Sequence, residues 1–262
     1  MTSFPRVIPV LLVSDGYLVK PVRFQGDKYI GDPINAVRIF NEKQVDELII
    51  CDIDASAKGT GVNYGLIEDI ASEAFMPVGY GGGIGDADEA RRITAIGIEK
   101  VVLNSSAMSR PEVVREVSEA LGSSSTVVSI DAKRKLTGGW EAYSHRASRK
   151  TGLSPADAAR RAEADGAGEV LISSIDREST MSGYDLKLVA SVADAVRVPV
   201  IALGGAGSFD DFAPALDAGA SALAAGSMFV LHGKHRGVLL RYPPPAQVRS
   251  LARLTPDDEV AP

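Results

Sequence analysis

Tyr80-Gly81-Gly82-Gly83-Ile84 opens a helical pattern that leads to Val102-Leu103-Asn104-Ser105-Ser106, and Leu203-Gly204-Gly205-Ala206-Gly207 opens another that leads to Ala224-Ala225-Gly226-Ser227. The second passage repeats the first about half a chain length later. Cys51-Asp52-Ile53-Asp54 similarly parallels Ser174-Ile175-Asp176-Arg177. Self-similarity at this period is the mark of a duplicated unit. A barrel made of two half-barrels predicts such symmetry, and an open doubly wound sheet does not. The open sheet also lacks its glycine fingerprint after the first strand, since Ser14-Asp15-Gly16-Tyr17 is not G-x-G-x-x-G.

Outward from these stretches, apolar β-branched runs alternate with amphipathic segments. Strands are expected near 7–13, 47–54, 77–80, 100–104, 126–132, 169–174, 200–203 and 222–225. Continuous apolar runs of this length suit strands buried on both faces, as in a parallel sheet. Helices are expected over 32–44, 64–73, 86–96, 110–121, 154–165, 185–195 and 209–218. Asp32-Pro33 and Ser154-Pro155 each offer an N-cap side chain followed by proline at the first helical position. Eight strands and seven helices in about 250 residues is the count of a (β/α)8 barrel, an α/β fold of the TIM class. Residues 1–262 are read as one such domain, with 243–262 as an extended or short-helical tail, its end (255–262) frayed.

Composition removes several classes of function. The 262 residues carry a formal net charge of −6, which argues against nucleic acid as the main partner. A local basic cluster, Arg146, Arg149 and Lys150, reads either as a solvated loop or as a contact for an anionic substrate. Cys51 is the single cysteine, so no intrachain disulfide or cysteine-based zinc site can form, and no metal or cofactor is expected. Its neighbours Ile49 and Ile50 make it a core thiol. No apolar run approaches the roughly 18 residues of a membrane span, and a cytoplasmic location is expected.

The repeated glycine turns carry the first chemical reading. Glycines after a strand let backbone N–H groups approach an anion closely, next to a helix N-terminus. Gly82 and Gly83 with Asn104 and Ser105, and Gly204 and Gly205 with Gly226 and Ser227, would hold a substrate with an anionic group at each end. The same glycines also read as tight strand-to-helix turns. Asp131 closes the run Val127-Val128-Ser129-Ile130-Asp131 at the strand end where barrel catalytic groups sit. It reads as an acid or base, or as a partner of Lys133 or Arg134. The run Val7-Ile8-Pro9-Val10-Leu11-Leu12-Val13 has the same build but carries Leu12 where a matching carboxylate could stand. Two carboxylates can divide acid and base roles, and one cannot. Arg6, Glu47, Lys100 and Glu169 each precede an apolar run, which places two positive and two negative charges at the barrel bottom. They form either a ring of salt bridges or separate solvated strand ends.

The chain resembles the HisF family, the cyclase subunit of imidazole glycerol phosphate synthase, from about residue 6 to residue 229. The likeness rests on Asp15-Gly16, Val19-Lys20, Gly31-Asp32-Pro33, Asp46-Glu47-Leu48, the 80–84 and 129–134 stretches, Lys150-Thr151-Gly152, Gly166-Ala167-Gly168-Glu169, Ser174-Ile175-Asp176-Arg177, Ser182-Gly183-Tyr184-Asp185 and 204–207. The resemblance implies a HisH-like glutaminase partner on the barrel bottom, with Arg6, Glu47, Lys100 and Glu169 as the gate through which ammonia enters. It also implies Asp131 as the second catalytic aspartate, and substrate or phosphate contacts at Lys20, Gly82, Gly83, Asn104, Ser105, Asp176, Gly204, Gly205 and Ser227. The first catalytic aspartate falls on Leu12 and is lost. Glu178-Ser179 replaces Asp-Gly in the loop after strand 6, and Gly226 stands where the family has serine. Tyr80, residues 66–73, His145 and the Lys234-His235-Arg236…Tyr242-Pro243 tail resemble HisF-like proteins associated with surface-polysaccharide biosynthesis, including lipopolysaccharide O-antigen. Those are linked to a sugar amidotransferase that converts an N-acetyl group to an acetamidino group. For His145, a site role and simple exposure at a loop tip are both open. Three functions follow: supply of ammonia for sugar amidation, true cyclase activity in histidine biosynthesis, or a non-catalytic scaffold that activates the glutaminase.

Overall fold

The computed structural model describes residues 4–252. Eight strands form the barrel: β1 (Arg6–Ser14), β2 (Leu48–Asp52), β3 (Val78–Gly81), β4 (Lys100–Leu103), β5 (Thr126–Arg134), β6 (Glu169–Ser174), β7 (Val200–Leu203) and β8 (Ala222–Ala225). Each pairs in parallel with the next, and β8 returns to β1 through Arg6↔Ala222 to Pro9↔Ala225. The sheet therefore has no free edge, and the (β/α)8 reading holds. Helices α1 (Pro33–Glu42), α2 (Tyr64–Glu73), α3 (Ala87–Ile96), α4 (Glu112–Leu121), α5 (Pro155–Ala164) and α6 (Leu186–Ala193) pack outside it. The expected 209–218 helix divides into a 3-10 turn, Phe209–Asp211, and α7 (Phe212–Asp217).

The predicted caps form. The Asp32 side chain accepts from the Asn35 amide at 2.8 Å and that of Ser154 from the Asp157 amide at 3.1 Å. The strands read as continuous apolar runs because both faces are covered. Val7, Leu48, Ile50, Val101 and Val128 pack against helices, in contact with Phe40, Ile67, Ile70 and Ile93. Ile8, Val10, Ile49, Val102, Val127, Leu171 and Ile201 fill the barrel interior. Each fully buried Ile or Leu stabilises the fold by roughly 1.5–3 kcal/mol.

Two antiparallel extensions lengthen the barrel sheet beyond the expected strands. After β1 the chain forms a hairpin, Tyr17–Val22 against Gln25–Gly31, and β5 continues into an antiparallel pairing with Trp140–Ser144 and then Arg149–Lys150. The first hairpin turns through Arg23 and Phe24 at φ 50° and 65°. Both central residues thus adopt the left-handed region that a two-residue hairpin loop requires, without the Asn-Gly signature that usually announces it. After β8 come a one-turn helix, Ser227–Val230, a small hairpin, Leu231–His232 against Gly237–Val238, and an extended stretch in which Tyr242 Oη donates to the Val7 carbonyl at 2.8 Å. A short helix, Pro245–Arg249, follows. The expected frayed segment 255–262 lies outside the described residues.

The half-barrel repeat is visible in backbone packing. A Cβ on Gly82 would stand 2.6 Å from the Asp52 carbonyl oxygen at the end of β2, and one on Gly204 would stand 2.8 Å from the Ser174 carbonyl oxygen at the end of β6. The same close approach occurs at the same place in each half.

Candidate functional site

Both ends of the barrel carry polar clusters, and the sequence built them through the period of two. Along β1, Arg6, Ile8, Val10 and Leu12 share the inward face. Arg6 therefore stands at the bottom and Leu12 at the top.

At the bottom, Arg6, Glu47, Lys100 and Glu169 meet in one closed ring. Arg6 donates to Glu47 and, at 2.5 Å, to Glu169 Oε1, while Lys100 Nζ lies 3.1 Å from both Glu47 Oε2 and Glu169 Oε2. The salt-bridge reading is therefore the one the structure takes. The Glu47 side chain is only 3% exposed, and its Oε1 has no hydrogen-bond partner. Arg6 is held above its ordinary pKa by the two carboxylates, against the opposing effect of burial. Directly above lies the apolar interior layer of Ile8, Ile49 and Leu171.

At the top, a cleft of about 1050 Å³, its open mouth included, is lined by Leu12, Lys20, Gly82, Gly83, Asn104, Ser105, Asp131, His145 and Glu178, among others. Its floor is apolar, with Val10, Leu12, Cys51, Val102, Leu171 and Leu203. Asp131 rises from β5, and its carboxyl is pushed up to about 7 by burial, then by the charge of Glu178, against the hydrogen bond from Asn104. Asn104 Nδ2 donates to Asp131 Oδ2 at 3.2 Å and to the Ser129 carbonyl at 2.9 Å. A carboxyl poised near neutrality can give or take a proton at working pH. Leu12 supplies no second proton-transfer group.

The two anion half-sites expected from the repeat differ. Gly82, Gly83, Asn104 and Ser105 line the cleft. Asp176, Gly204, Gly205, Gly226 and Ser227 do not. Gly205 lies beneath the loop after β6, where a Cβ would stand 2.2 Å from the Gly183 carbonyl oxygen. Asp176 accepts from the Arg134 amide at 2.7 Å, and Ser227 Oγ donates to Ser179 Oγ at 2.9 Å. Lys20, only 4% exposed, pairs with the equally buried Glu178 directly over Gly226.

Several cleft residues stand differently from the sequence reading. His145 reaches the site: its amide donates to Ser105 Oγ at 3.2 Å, and burial followed by the charge of Arg149 lowers its pKa. Arg146 leaves the exposed cluster and bridges Asp54 at 3.1 Å and Asp27 at 2.8 Å at the cleft mouth. Arg149 and Lys150 stay exposed. Cys51, expected in the core, is part of the cleft floor, with its thiol pushed up to about 12 by burial and by Asp131. Asp52 and Phe24 also line the cleft and were missed. The signal for Asp52 was present, a carboxylate at the C-terminal end of a barrel strand. Burial raises its carboxyl, opposed by hydrogen bonds from the Asp54 and Ala55 amides at 3.0 and 3.1 Å. Among the described residues no cluster of metal-ligating side chains occurs, and no helix is long and apolar enough to cross a membrane.

A closed parallel barrel with a carboxyl held near neutrality at its C-terminal face has the layout of a (β/α)8 enzyme barrel. The chain belongs to the HisF family: the model described as histidine biosynthesis protein matches residues 6–236. A relative from Pseudomonas aeruginosa, provisionally named imidazole glycerol phosphate synthase subunit hisF2, is 48% identical over 239 residues, covering 91% of this chain and 95% of its own. One from Vibrio vulnificus, provisionally named subunit hisF3, is 42% identical over 254 residues, covering 95% and 96%. The imidazole glycerol phosphate synthase subunit HisF of Streptomyces coelicolor is 41% identical over 229 residues, covering 87% and 91%.

Proposed function

We propose that this chain is the ammonia-receiving subunit of a glutamine-dependent amidotransferase complex. A HisH-like glutaminase docks on the floor around Arg6, Glu47, Lys100 and Glu169, and ammonia passes through the apolar interior to the upper cleft. The acceptor pathway is amidation of a sugar N-acetyl group for surface polysaccharide, with a separate sugar amidotransferase completing the transfer. The observation that carries this reading is the contrast between the two ends. The floor ring is complete, while the top holds Asp131 opposite Leu12. Leu12 brings no carboxyl from β1 to share the proton transfers of imidazole ring closure with Asp131, and loss of one general acid or base costs ~10²–10⁴-fold.

A second reading, cyclase activity in histidine biosynthesis, is favoured by the retained Asp131 and by the name of the Streptomyces relative. The purified chain, assayed with free ammonia and the histidine-pathway substrate, is expected to turn over at background. Robust ammonia-dependent ring closure overturns the amidation reading. Mixed with a HisH-like glutaminase, the chain is expected to stimulate glutamine hydrolysis. Stimulation that persists unchanged in Lys100→Met, with no ammonia reaching an acceptor, leaves only the scaffold.

A further inference from the structure

Of the two glycine turns that the repeat places at the top of the barrel, the one at Gly82 and Gly83 lines the upper cleft and the one at Gly204 and Gly205 does not. We propose that Glu178 acts as a resident anion that closes the half-site at Gly204 and Gly226, so that the cleft takes a ligand with a single anionic group, seated at Gly82, Gly83, Asn104 and Ser105. This proposal rests on the upper cleft being a substrate site, as in the preceding reading.

Three observations carry it. First, Lys20 is the cation that reaches toward Gly226, and it is already committed: it pairs with Glu178, and both side chains are buried. A Cβ on Gly226 would lie 2.3 Å from Lys20 Nζ, so the lysine occupies the volume over that strand end. Second, the hairpin that carries Lys20 is clasped to the loop that carries Glu178. The Arg23 amide donates to the Glu178 carbonyl at 3.1 Å, Arg23 Nε to the Asp176 carbonyl at 3.1 Å, and Ser179 Oγ to the Pro21 carbonyl at 2.6 Å. The left-handed Arg23–Phe24 turn is costly for bulky residues and persists only where its surroundings hold it. Third, the charges are spent. The cleft cations Lys20 and Arg146 are both paired with carboxylates, and Asp131, Asp52 and Glu178 line the same space. A ligand with a second anionic end would have to take Lys20 from Glu178, stranding a buried carboxylate, which is strongly unfavourable. A single anion at the Gly82 side leaves the pair intact.

Calorimetry of the full chain with fructose 6-phosphate and fructose 1,6-bisphosphate tests this. Wild type is expected to bind the bisphosphate no more than about threefold tighter than the monophosphate, while Glu178→Gln, which frees Lys20, raises that preference by about tenfold or more, the worth of one charge-assisted hydrogen bond. A wild-type preference for the bisphosphate of about tenfold overturns the proposal. So does a Glu178→Gln ratio equal to wild type, or the failure of wild type to bind either ligand at millimolar concentration. Should Glu178→Gln not fold, the Lys20→Met/Glu178→Gln pair removes both charges together. It is expected to keep monophosphate affinity within about threefold, and a loss of about tenfold overturns the proposal. Glutaminase stimulation without sugar phosphate is scored separately, so that failure of ammonia transfer and failure of the one-anion site are told apart.

Discussion

Asp131→Asn isolates the cost of the carboxyl that β5 brings into the cleft. The Asp131 carboxyl is pushed up to about 7 from an ordinary value of 3.8, first by burial and then by Glu178. Its folded pKa lies above its unfolded one, so the native state binds the proton more tightly between these values. Stability is therefore lost as pH rises from about 4 to 7, and the loss is complete above 7. A gap of about three pKa units at ~1.36 kcal/mol each sets a ceiling of about 4 kcal/mol. Asp131 faces an open cleft, where water screens part of the penalty, so a gain of about 2–4 kcal/mol is expected for Asp131→Asn at pH 8. Roughly two-fifths of that gain is expected at pH 5, and none below pH about 3.8, where the acid is neutral in both states. Asparagine keeps an acceptor for Asn104, so the local hydrogen bond survives. Urea denaturation of both proteins at pH 5 and pH 8, compared through midpoints at equal slope, reads the effect. A gain of the same size at both pH values, or a variant less stable at pH 8, refutes the assignment of Asp131 as a carboxyl held against its solvation.

Lys100→Met breaks two 3.1 Å ion pairs and leaves Glu47 with Arg6 alone. It should cost roughly 2–4 kcal/mol by urea denaturation, while Glu47→Gln/Lys100→Met should fall within about 1 kcal/mol of wild type. Gly226→Ser places a Cβ against Lys20 and should cost about 1–3 kcal/mol in thermal or chemical unfolding. A variant as stable as wild type would mean that Lys20 is not fixed over that strand end. Cys51 should react with a disulfide reagent at pH 8 far more slowly than a free thiol, because its thiolate is suppressed by burial and by Asp131. Rapid labelling of the folded chain would contradict this.

The barrel was legible because both faces of each strand are buried, which turns eight strands into eight apolar runs. The cap residues Asp32 and Ser154 marked helix starts for the same local reason that they hold them. What the sequence hid lies above the barrel. The Arg23–Phe24 turn has left-handed geometry without glycine or asparagine, so nothing local announced the hairpin. Asp131 and Leu12 could be placed at strand ends from period alone. The partner of Lys20 could not, because Glu178 is 158 residues away and meets it only through barrel closure. His145 and Arg146 were ambiguous because loop-tip residues gain a role only from what the loop folds onto, here Ser105 and Asp54.

Leu12 and Glu178 together set the charge at the top of the barrel. An acid at position 12 would share the cleft with Asp52, Asp131 and Glu178, four carboxyls with Lys20 as the buried cation among them. Like charges in such a space cannot all ionise near neutral pH, and each raises the pKa of the others. Glu178 already pushes Asp131 upward. With Leu12 on β1, the negative charge beside Lys20 comes from the loop after β6, through Glu178. The half-barrel repeat survives in the backbone, where Gly82 and Gly204 make the same close approach to the preceding strand end. It is broken in charge, where Asn104 faces the cleft and Gly226 lies under a lysine. An apolar interior leads up from the charge ring to a cleft where the Asp131 carboxyl is held near neutrality. On the function proposed above, that interior carries a small neutral base such as ammonia up to the cleft, and the committed Lys20–Glu178 pair leaves no free cation among the described cleft residues for a second anion.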